Sequence, residues 1–393
     1  MIKVYNTLTR RKEEFRPLGK EIKWYNCGPT VYDYIHIGNA RNLVSFDIIR
    51  RYLEYRGFKV KFVQNFTDID DKMIKRAKEL NIPVKELAER FIKQYFEDAK
   101  LLRIKKATIH PKATEHIKDI ISFIKDLEKK GYTYETDDGV YFNITKFRDY
   151  GKLSKQSIEK LKAGARVEKN ENKRNPLDFV LWKKHKPQEP CWDSPWGKGR
   201  PGWHIECSVM AITHLGSTLD IHSGGQDLIF PHHENEIAQS EALTGKSFVK
   251  YWLHNAFLTI RKEKMSKSLG NILTAHEVLK RYDPRVIRLF FFTTHYRSPI
   301  DFSETTIEQT QHSLERLDNF IITIKNIKKN QGVDISKLII ETRKRFINAM
   351  DDDFDTPKAL AVIFEFIRKV NQLIHRWVLH HYKVLSWELV VVI

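Results

Sequence analysis

The first hundred residues alternate between strand-like and helix-like patterns, and this alternation limits the possible folds more than any other feature of the sequence. A strand pattern at Ile22–Cys27 is followed by a long turn and then by apolar residues at helical spacing from Leu43 to Leu53. Gly57 ends that helix, and Lys59–Phe66 gives the next strand. A strand, a helix and a second strand in this order predict a βαβ unit, and therefore a parallel sheet covered by helices.

The chain has 393 residues, more than the roughly 250–300 at which a single core stops growing, so several domains are expected. We predict a Rossmann-like α/β domain whose first half is 1–110 and whose second half is 201–300. Residues 111–200 read as an insertion with a hairpin around Asp137-Asp-Gly139 and a polar, loop-like stretch at Ala163–Glu189. Residues 301–375 read as an all-α helical bundle. The tail, 376–393, is unassigned; its apolar Val390–Ile393 end suits an edge strand or an unnatural terminus.

The net charge of +18 and the isoelectric point near 9.5 favour an anionic partner, of which nucleic acid is the commonest. A lysine-rich proteome would give the same composition. Three cysteines cannot all pair in disulfides, and Met1–Thr9 does not resemble a signal peptide. There is no apolar run of about 18 residues that would predict a membrane span. We therefore expect a cytoplasmic protein whose cysteines are metal ligands or inert core residues.

The stretch Phe230–Ser240 contains a candidate metal site. Pro231 suits the first turn of a helix, on which His232 and Glu236 are four positions apart and therefore share a face. An imidazole and a carboxylate on one face form half of a tetrahedral zinc site, and the free cysteines could complete it. Shifting the register by one residue pairs His233 with Ile237, which cannot coordinate a metal. A His and a Glu one turn apart also occur as a solvated pair.

Two further motifs suit phosphate chemistry. His36-Ile-Gly-Asn39 lies where a strand-to-helix turn meets a helix N-terminus, and Gly38 would let a phosphate approach the backbone. Lys264-Met-Ser-Lys-Ser268 follows the last strand of the α/β part, and its lysines and hydroxyls suit the charge of a leaving pyrophosphate. A chance match and a solvated basic loop are the alternatives for each motif alone. Their order, with an insertion between them and helices after them, is much more specific.

These motifs resemble the HIGH and KMSKS signatures of the class I aminoacyl-tRNA synthetases. The chain is most similar to the cysteinyl-tRNA synthetases, over residues 1–375. Four further stretches carry that resemblance: Cys27–Asp33, Asn65–Asp71, Gly202–Ser208 and Phe230–Glu236. It implies ATP-dependent activation of L-cysteine to cysteinyl-adenylate, with Mg²⁺ accompanying ATP, and transfer of the cysteinyl group to tRNA(Cys).

The resemblance also implies the site residues. The zinc ligands would be Cys27, Cys207, His232 and Glu236, with the substrate sulfur joining the metal, and Cys191 matches no ligand position. Because shape alone separates cysteine from serine only ~10–200-fold, zinc would provide the selectivity. Four protein ligands normally mark a closed site, so the substrate must expand the coordination or displace a ligand.

Further contacts divide between the two substrates. His36, Asn39, Lys264 and Lys267 would stabilise the transferring phosphate, and ATP would also meet Gly38, Gly224, Asp227, Ser266 and Ser268. Thr67, Trp203 and His222 would contact the amino acid; core packing is an equal alternative for Trp203. Asn39 stands where the family usually has His; it keeps an N–H donor but cannot carry charge, so we expect activity to survive.

The C-terminal part of the sequence leaves anticodon recognition and two alternative functions open. Ala349–Ala361 resembles the start of the family's helical stem, but the chain stops 18 residues after His375, which puts anticodon recognition in doubt. The short C-terminus would also suit a cysteine ligase of the mycothiol pathway, which joins cysteine to an amino sugar. A non-catalytic paralogue that binds tRNA or zinc is the alternative outside enzymes. We expect a monomer.

Overall fold

The computed structural model describes residues 1–157, 172–264, 273–326 and 334–377. The strands are β1 (Lys3–Asn6), β2 (Arg11–Glu14), β3 (Glu21–Asn26), β4 (Lys59–Gln64), β5 (Thr133–Glu135), β6 (Gly139–Phe142), β7 (Phe179–Lys184), β8 (Gly199–Pro201), β9 (Leu219–Gly225), β10 (Val249–Asn255), β11 (Leu258–Ile260), β12 (Glu263–Lys264) and β13 (Ile300–Phe302).

The α-helices among these residues are α1 (Ile37–Tyr55), α2 (Asp71–Leu80), α3 (Val84–Leu101), α4 (Ile117–Lys129), α5 (Trp203–Leu215), α6 (Glu234–Thr244), α7 (Ala275–Arg281), α8 (Pro284–Phe292), α9 (Glu304–Asn326), α10 (Ser336–Asp351) and α11 (Thr356–Trp377). Short 3₁₀ turns occupy Ala113–His116, Ile144–Lys146 and Gln226–Leu228, and a wider turn occupies Ile229–His233.

A four-stranded parallel sheet with the order β10-β9-β3-β4 forms the centre of the α/β part. The sequence predicts this parallel sheet, and the prediction is confirmed. Trp24 and Tyr25 of β3 are fully buried because the strand is covered on both faces. α1 then crosses back over the sheet and ends before Gly57, whose φ of +88° suits glycine.

The insertion folds as a second, antiparallel sheet with the order β5-β6-β7-β8. The hairpin around Asp137-Asp-Gly139 joins β5 to β6, as the sequence predicts. The loop predicted for Ala163–Glu189 is wrong at Phe179–Lys184, which is strand β7. Its short apolar core, including the buried Leu181 and Trp182, pairs on one side with β6 and on the other with β8. The apolar run is short and lies among polar residues, so its sequence does not indicate a strand. Pairing with β6 and β8 stabilises it as one.

Two element boundaries also differ from prediction. The helix expected from Pro231 begins at Glu234, because Phe230 has extended backbone angles (φ −138°, ψ 133°) and the preceding residues form a separate turn. The single strand expected over Tyr251–Ile260 is two strands in different sheets, β10 in the central sheet and β11 beside β13. Between these two strands, the backbone N–H of Ala256 donates to the carbonyl of Tyr296, 2.9 Å away. The chain is therefore no longer paired with the central sheet at this residue.

From Glu304 onward the described residues are mainly helical, as predicted, but the predicted bundle boundary at residue 301 falls inside strand β13. α9, α10 and α11 pack through an apolar cluster that includes Phe320, Ile367 and Val370. The predicted strand at Val390–Ile393 lies outside the described residues. Within the part of the chain that the structure covers, no helix is both long enough and apolar enough to cross a bilayer.

Candidate metal centre and active site

Several predicted site residues gather at the carboxyl edge of the central sheet. Cys27 follows β3 directly, Thr67 comes shortly after β4, and His222 lies in the middle of β9, three residues before the strand ends. In an open parallel sheet this edge is where ligands bind, because the loops that leave the strands converge there. α5 places Cys207 beside Cys27, the turn before α6 places His232 there, and the first turn of α6 places Glu236 there.

One atom each from Cys27, Cys207, His232 and Glu236 lies within 4.8 Å of the other three. The sulfurs of Cys27 and Cys207 are 4.0 Å apart, and His232 Nε2 lies 3.1 Å from Glu236 Oε1. Cys27 is 9% exposed and the other three side chains are 1% exposed or less. This is the quartet that the resemblance implies. Two thiols, an imidazole and a carboxylate form a donor set that fits zinc.

His233, which the sequence analysis set aside, also reaches the centre. Its Nε2 lies 3.3 Å from Cys27 Sγ, and it forms a second quartet with Cys27, His222 and Glu236. The prediction considered only the residue four positions on from His233, Ile237, but Glu236 is three positions on and also lies on the same face. The separate turn at Ile229–His233 points both histidines toward Cys27. The two quartets share Cys27 and Glu236, so the centre offers overlapping ligand sets.

Further imidazoles hold these groups in place, and sequence reasoning missed them. His204 Nδ1 lies 2.9 Å from His232 Nδ1, which leaves His232 Nε2 facing Glu236. His233 Nδ1 lies 2.8 Å from His254 Nε2, and His254 Nδ1 lies 2.8 Å from Thr7 Oγ1. Such outer contacts fix the ring orientation of ligating histidines. The available signal was the concentration of histidines between residues 204 and 254.

The four side chains of this quartet shift one another's pKa values. Burial raises the pKa of Glu236, but the adjacent His222 and His232 outweigh it and bring that pKa down to about 2. Burial likewise acts to lower the pKa of His232, and the negative charges of Glu236 and Cys207 raise it to about 10. A hydrogen bond from the Cys27 thiol lowers the pKa of Cys207 to about 6. The centre therefore holds ionised groups of both signs away from water.

The three residues predicted to contact the amino acid lie around this centre. The Trp203 ring stacks on His232 with centroids 4.2 Å apart, and Trp203 remains 38% exposed, which excludes the core-packing alternative. Thr67 is 1% exposed and exchanges backbone hydrogen bonds with Pro29 and Val31. His222 is fully buried, and its Nε2 lies 2.9 Å from Glu236 Oε2, so its contact is with a predicted ligand.

His36 and Asn39 begin α1 with reciprocal hydrogen bonds. The Asn39 backbone N–H donates to His36 Nδ1, and Asn39 Oδ1 accepts from the His36 backbone N–H, each at 3.2 Å. This capping box leaves the helix N-terminus, with Gly38 in its first turn, at the carboxyl edge of the sheet. Burial lowers the pKa of His36, and the charge of nearby Asp227 partly opposes this effect. Asp227 itself is exposed.

The basic motif is described only at its borders. The backbone of Lys264 belongs to β12, whereas Ser266, Lys267 and Ser268 lie outside the described residues. Directly after the gap, the Leu273 carbonyl accepts a hydrogen bond from the Ile37 backbone N–H at 2.9 Å, and the Ile35 carbonyl accepts from Ala275 at 2.8 Å. The chain thus leaves the basic motif beside the first turn of α1.

Gly224 and Gly225 shape the turn between β9 and the metal centre. A Cβ on Gly224 would stand 2.8 Å from His233 Cε1 and 2.9 Å from Leu228 Cδ1. A Cβ on Gly225 would collide with Oδ1 of Asp227. Gly224 requires glycine because the buried His233 ring occupies the space, whereas the exposed Asp227 side chain can turn away from position 225.

Comparisons with known proteins agree with this geometry. Residues 14–312 match the family model described as tRNA synthetases class I (C) catalytic domain, and residues 345–385 match the DALR domain. The cysteine–tRNA ligase of Thermococcus gammatolerans is 57% identical over 384 residues, covering 94% of this chain and 80% of that protein. The cysteine–tRNA ligase of Carboxydothermus hydrogenoformans is 55% identical over 375 residues, with the same two coverages of 94% and 80%.

Solved structures support the fold. The methionyl-tRNA synthetase of Mycobacterium tuberculosis in complex with methionyl-adenylate superimposes with a TM-score of 0.70 at 16% identity, over 93% of this chain and 86% of that one. A putative arginyl-tRNA synthetase from Campylobacter jejuni gives a TM-score of 0.55 at 12% identity, over 96% and 90%.

Proposed function

The chain belongs to the cysteine–tRNA ligases within the class I tRNA synthetases, and we propose that it selects L-cysteine with zinc held by Cys27, Cys207, His232 and Glu236. As a member of this family it is an enzyme that joins cysteine to tRNA at the expense of ATP. The single observation that carries the proposal is the convergence of two thiols, an imidazole and a carboxylate in one buried cluster at the carboxyl edge of the central sheet.

The donor set favours this quartet over the one that contains His222 and His233. This quartet has two thiol ligands, whereas the other has one, and zinc binds thiolates strongly. Zinc sites that combine Cys and His ligands are common. The outer contact from His204 orients His232 toward Glu236. His233 is held by His254 and Thr7, and we assign it and His222 the role of positioning Cys27 and Glu236. When bound, zinc would supply a Lewis acid that prefers a thiol sulfur to a hydroxyl oxygen.

The protein's own residues shape the amino acid pocket around the sulfur. The exposed edge of Trp203, stacked on His232, would cover the substrate side chain, and Thr67 would limit its length at the end of β4. A pocket of this kind separates a thiol from a hydroxyl only ~10–200-fold by shape. Selection by sulfur chemistry would make a separate editing site unnecessary.

The first turn of α1 supports the ATP side of the site. His36 and Asn39 are fixed by their capping box, and the positive end of the α1 dipole, where Gly38 lets a ligand approach the backbone, would face the phosphates of ATP. Gly224 and Asp227 would meet the nucleoside, with the Asp227 carboxylate accepting hydrogen bonds from the ribose. Lys264, Ser266, Lys267 and Ser268 would stabilise the leaving pyrophosphate, and Mg²⁺ would enter with ATP as the counter-ion of its phosphates.

The chemistry consists of two group transfers. In the first, a carboxylate oxygen of cysteine bonds to the α-phosphorus of ATP as the bond to the β-phosphate oxygen breaks and pyrophosphate leaves. In the second, a terminal ribose hydroxyl of the tRNA attacks the acyl carbon, loses its proton and displaces AMP. A carboxylate is already a nucleophile, so positioning and charge stabilisation account for the first step without a general base.

The remaining assignments follow from this function. We propose that tRNA(Cys) is the acceptor, because the matched relatives are tRNA ligases and residues 345–385, at the end of the helical part, match the DALR domain. The amino-sugar ligase and the non-catalytic paralogue are not favoured by these relatives. We propose a monomer in the reducing cytoplasm, consistent with three free cysteines. We also propose the division into 1–110, 111–200, 201–300 and 301–375 as working domains.

The decisive experiment is cysteine-dependent exchange of pyrophosphate into ATP, followed by transfer of labelled cysteine to tRNA(Cys). Exchange that requires cysteine and falls after zinc is removed by a chelator supports the proposal. Exchange with serine as fast as with cysteine would overturn the proposal. So would the absence of zinc from protein purified under reducing conditions. Supplying tRNA and the amino sugar in parallel identifies the acceptor by which of them takes up the label.

A further inference from the structure

A surface groove of about 550 Å³ runs along the second half of α3 and the loop after it, on the flank of the central sheet. We call it the basic groove. The cations that line it are Lys93, Lys100, Arg103, Lys105 and Lys106, and its other lining residues include Tyr95, Phe96, Glu97 and His110. None of these residues belongs to the metal centre or to the phosphate motifs.

Most of the positive charge in the basic groove is not neutralised by the protein. Lys105 Nζ pairs with Glu54 Oε2 at 2.7 Å. Among the described residues, no carboxylate forms an ion pair with Lys93, Lys100, Arg103 or Lys106. Glu97 is the one carboxylate in the lining. Exposed cations concentrated in this way repel one another, and an anionic partner would offset that repulsion.

Two aromatic rings, Phe96 and His110, line the basic groove among its cations. The rings of Phe96 and His110 meet edge to face at 5.1 Å, and the ammonium group of Lys106 lies 5.4 Å from the centre of the Phe96 ring. His110 is fixed on both sides, since its Nδ1 lies 3.0 Å from the Gln64 carbonyl and its Nε2 accepts from the Ala107 backbone N–H at 3.2 Å. Cations beside an aromatic surface are typical of sites that bind a nucleic acid strand, because phosphates and bases are met together.

The loop that carries three of the cations is held by α1. The guanidinium groups of Arg50 and Arg51 donate to the carbonyls of Lys106 and Arg103 at 2.7 and 2.8 Å. Arg50 lies fourteen residues after His36, which corresponds to roughly 20 Å along a helix, so the basic groove is separate from the active site. Lys93 and Lys100 are two helical turns apart on α3, about 10 Å. The cations are therefore spread along a line rather than directed at one point, which favours an extended strand over a single small anion.

We propose that the basic groove binds a ribose–phosphate segment of the tRNA substrate at a distance from its acceptor end, with a base stacking against Phe96. This inference rests on the proposed function, because it takes the tRNA as the anionic partner. It assigns part of the tRNA affinity to the α/β domain itself rather than to the helical bundle alone.

The test is the variant Lys93→Ala/Lys100→Ala in the full chain. Alanine is a good helix former, so α3 should remain intact, and a thermal melt checks this. The control is Lys20→Ala/Lys246→Ala, which removes two exposed lysines that have no ion pair among the described residues. A second variant, Lys93→Arg/Lys100→Arg, keeps the charge. The measurements are the dissociation constant for tRNA(Cys) over a salt series and cysteine-dependent pyrophosphate exchange without tRNA.

We expect the Lys93→Ala/Lys100→Ala variant to bind tRNA roughly tenfold more weakly at physiological salt, with a shallower salt dependence. Pyrophosphate exchange should be unchanged, and the arginine variant and the control should bind as the unmodified protein does. Equal tRNA affinity for the alanine variant and the control would overturn the inference. Loss of exchange in the unmodified protein would instead count against the proposed function, so the two failures are distinguishable.

Discussion

The sulfur of Cys27 lies 4.0 Å from the sulfur of Cys207, although 180 residues separate them in the chain. β3 places the first cysteine at the carboxyl edge of the sheet, and α5, which follows the insertion in the chain, places the second at the same edge. The insertion therefore lies between the two halves of the metal centre in sequence without separating them in space. Any change that displaces α5 from the sheet would disrupt the ligand set.

Cys207→Ser should abolish tight zinc binding and with it the preference for cysteine over serine. Without a soft metal, discrimination by pocket shape is limited to ~10–200-fold. The measurements are zinc content by atomic absorption and pyrophosphate exchange with each amino acid. Cys191→Ser is the matched control, because Cys191 belongs to neither ligand quartet. Retention of zinc by the Cys207 variant would count against the assigned quartet.

Gly224→Ala should destabilise the turn beneath the metal centre by about 1–3 kcal/mol, the usual cost of inserting a methyl group into a packed site. The new Cβ would stand 2.8 Å from His233 Cε1 and would displace the ring that contacts Cys27. Denaturant unfolding gives the loss of stability. Gly19→Ala serves as the control, because a Cβ there meets no atom within 4 Å. Equal stability of the two variants would contradict the packing role of Gly224.

Lys267→Ala should depress pyrophosphate exchange by about 10²–10³-fold while it leaves cysteine binding nearly unchanged, since its charge is needed where negative charge develops. Lys267 lies outside the described residues, so this prediction rests on the motif and on the position of Leu273 beside Ile37. Exchange kinetics and the dissociation constant for cysteine are the two readouts. Equal losses in both would show that Lys267 has another role.

His110 should make the protein less stable in mild acid. Burial lowers the pKa of His110 from 6.5 to about 4. Between these pH values His110 is protonated in the unfolded chain but neutral in the folded protein. Stability is therefore unaffected above pH 7 and falls as the pH drops from 6.5 toward 4, by about 2 kcal/mol between pH 7.5 and 5. His110→Gln should remove that part of the pH dependence in urea unfolding, whereas a change at the exposed His312 should not. An unaltered pH slope in the His110 variant would refute this assignment.

Asp353→Asn should weaken the junction between the α/β part and the helical bundle by about 3 kcal/mol, because partners of a buried carboxylate would lose its charge. Asp353 Oδ1 accepts from the Tyr5 backbone N–H at 2.7 Å and from the Tyr296 hydroxyl at 2.9 Å, and Oδ2 accepts from Arg297 Nε at 2.6 Å. Asn tolerates the positive φ of 63° at this position. Asp352→Asn removes an exposed ion pair and should cost within about 0.5 kcal/mol in the same unfolding measurement. Similar losses of stability in both variants would show that the buried contacts of Asp353 do not stabilise this junction.

The sequence determined the fold class, and its motifs predicted the four proposed metal ligands. The βαβ pattern, the hairpin at Asp137-Asp-Gly139 and the helices after residue 303 follow from local periodicity and turn residues, which act within a few positions of each other. The motifs around Cys27, His36, Cys207 and His232 were recognisable because each is contiguous. Strand β7 and the break between β10 and β11 escaped prediction, since sheet partners define both.

Only the tertiary structure decided which side chains meet at the metal centre. The prediction excluded His233 by pairing it with Ile237, but the ring of His233 lies beside Cys27. His204, His254 and Thr7 complete the contacts around the histidines. These residues come from the N-terminal segment, α5, the turn before α6 and β10. Their distances depend on how the elements pack, and chain periodicity carries no information about packing between elements that are far apart in sequence.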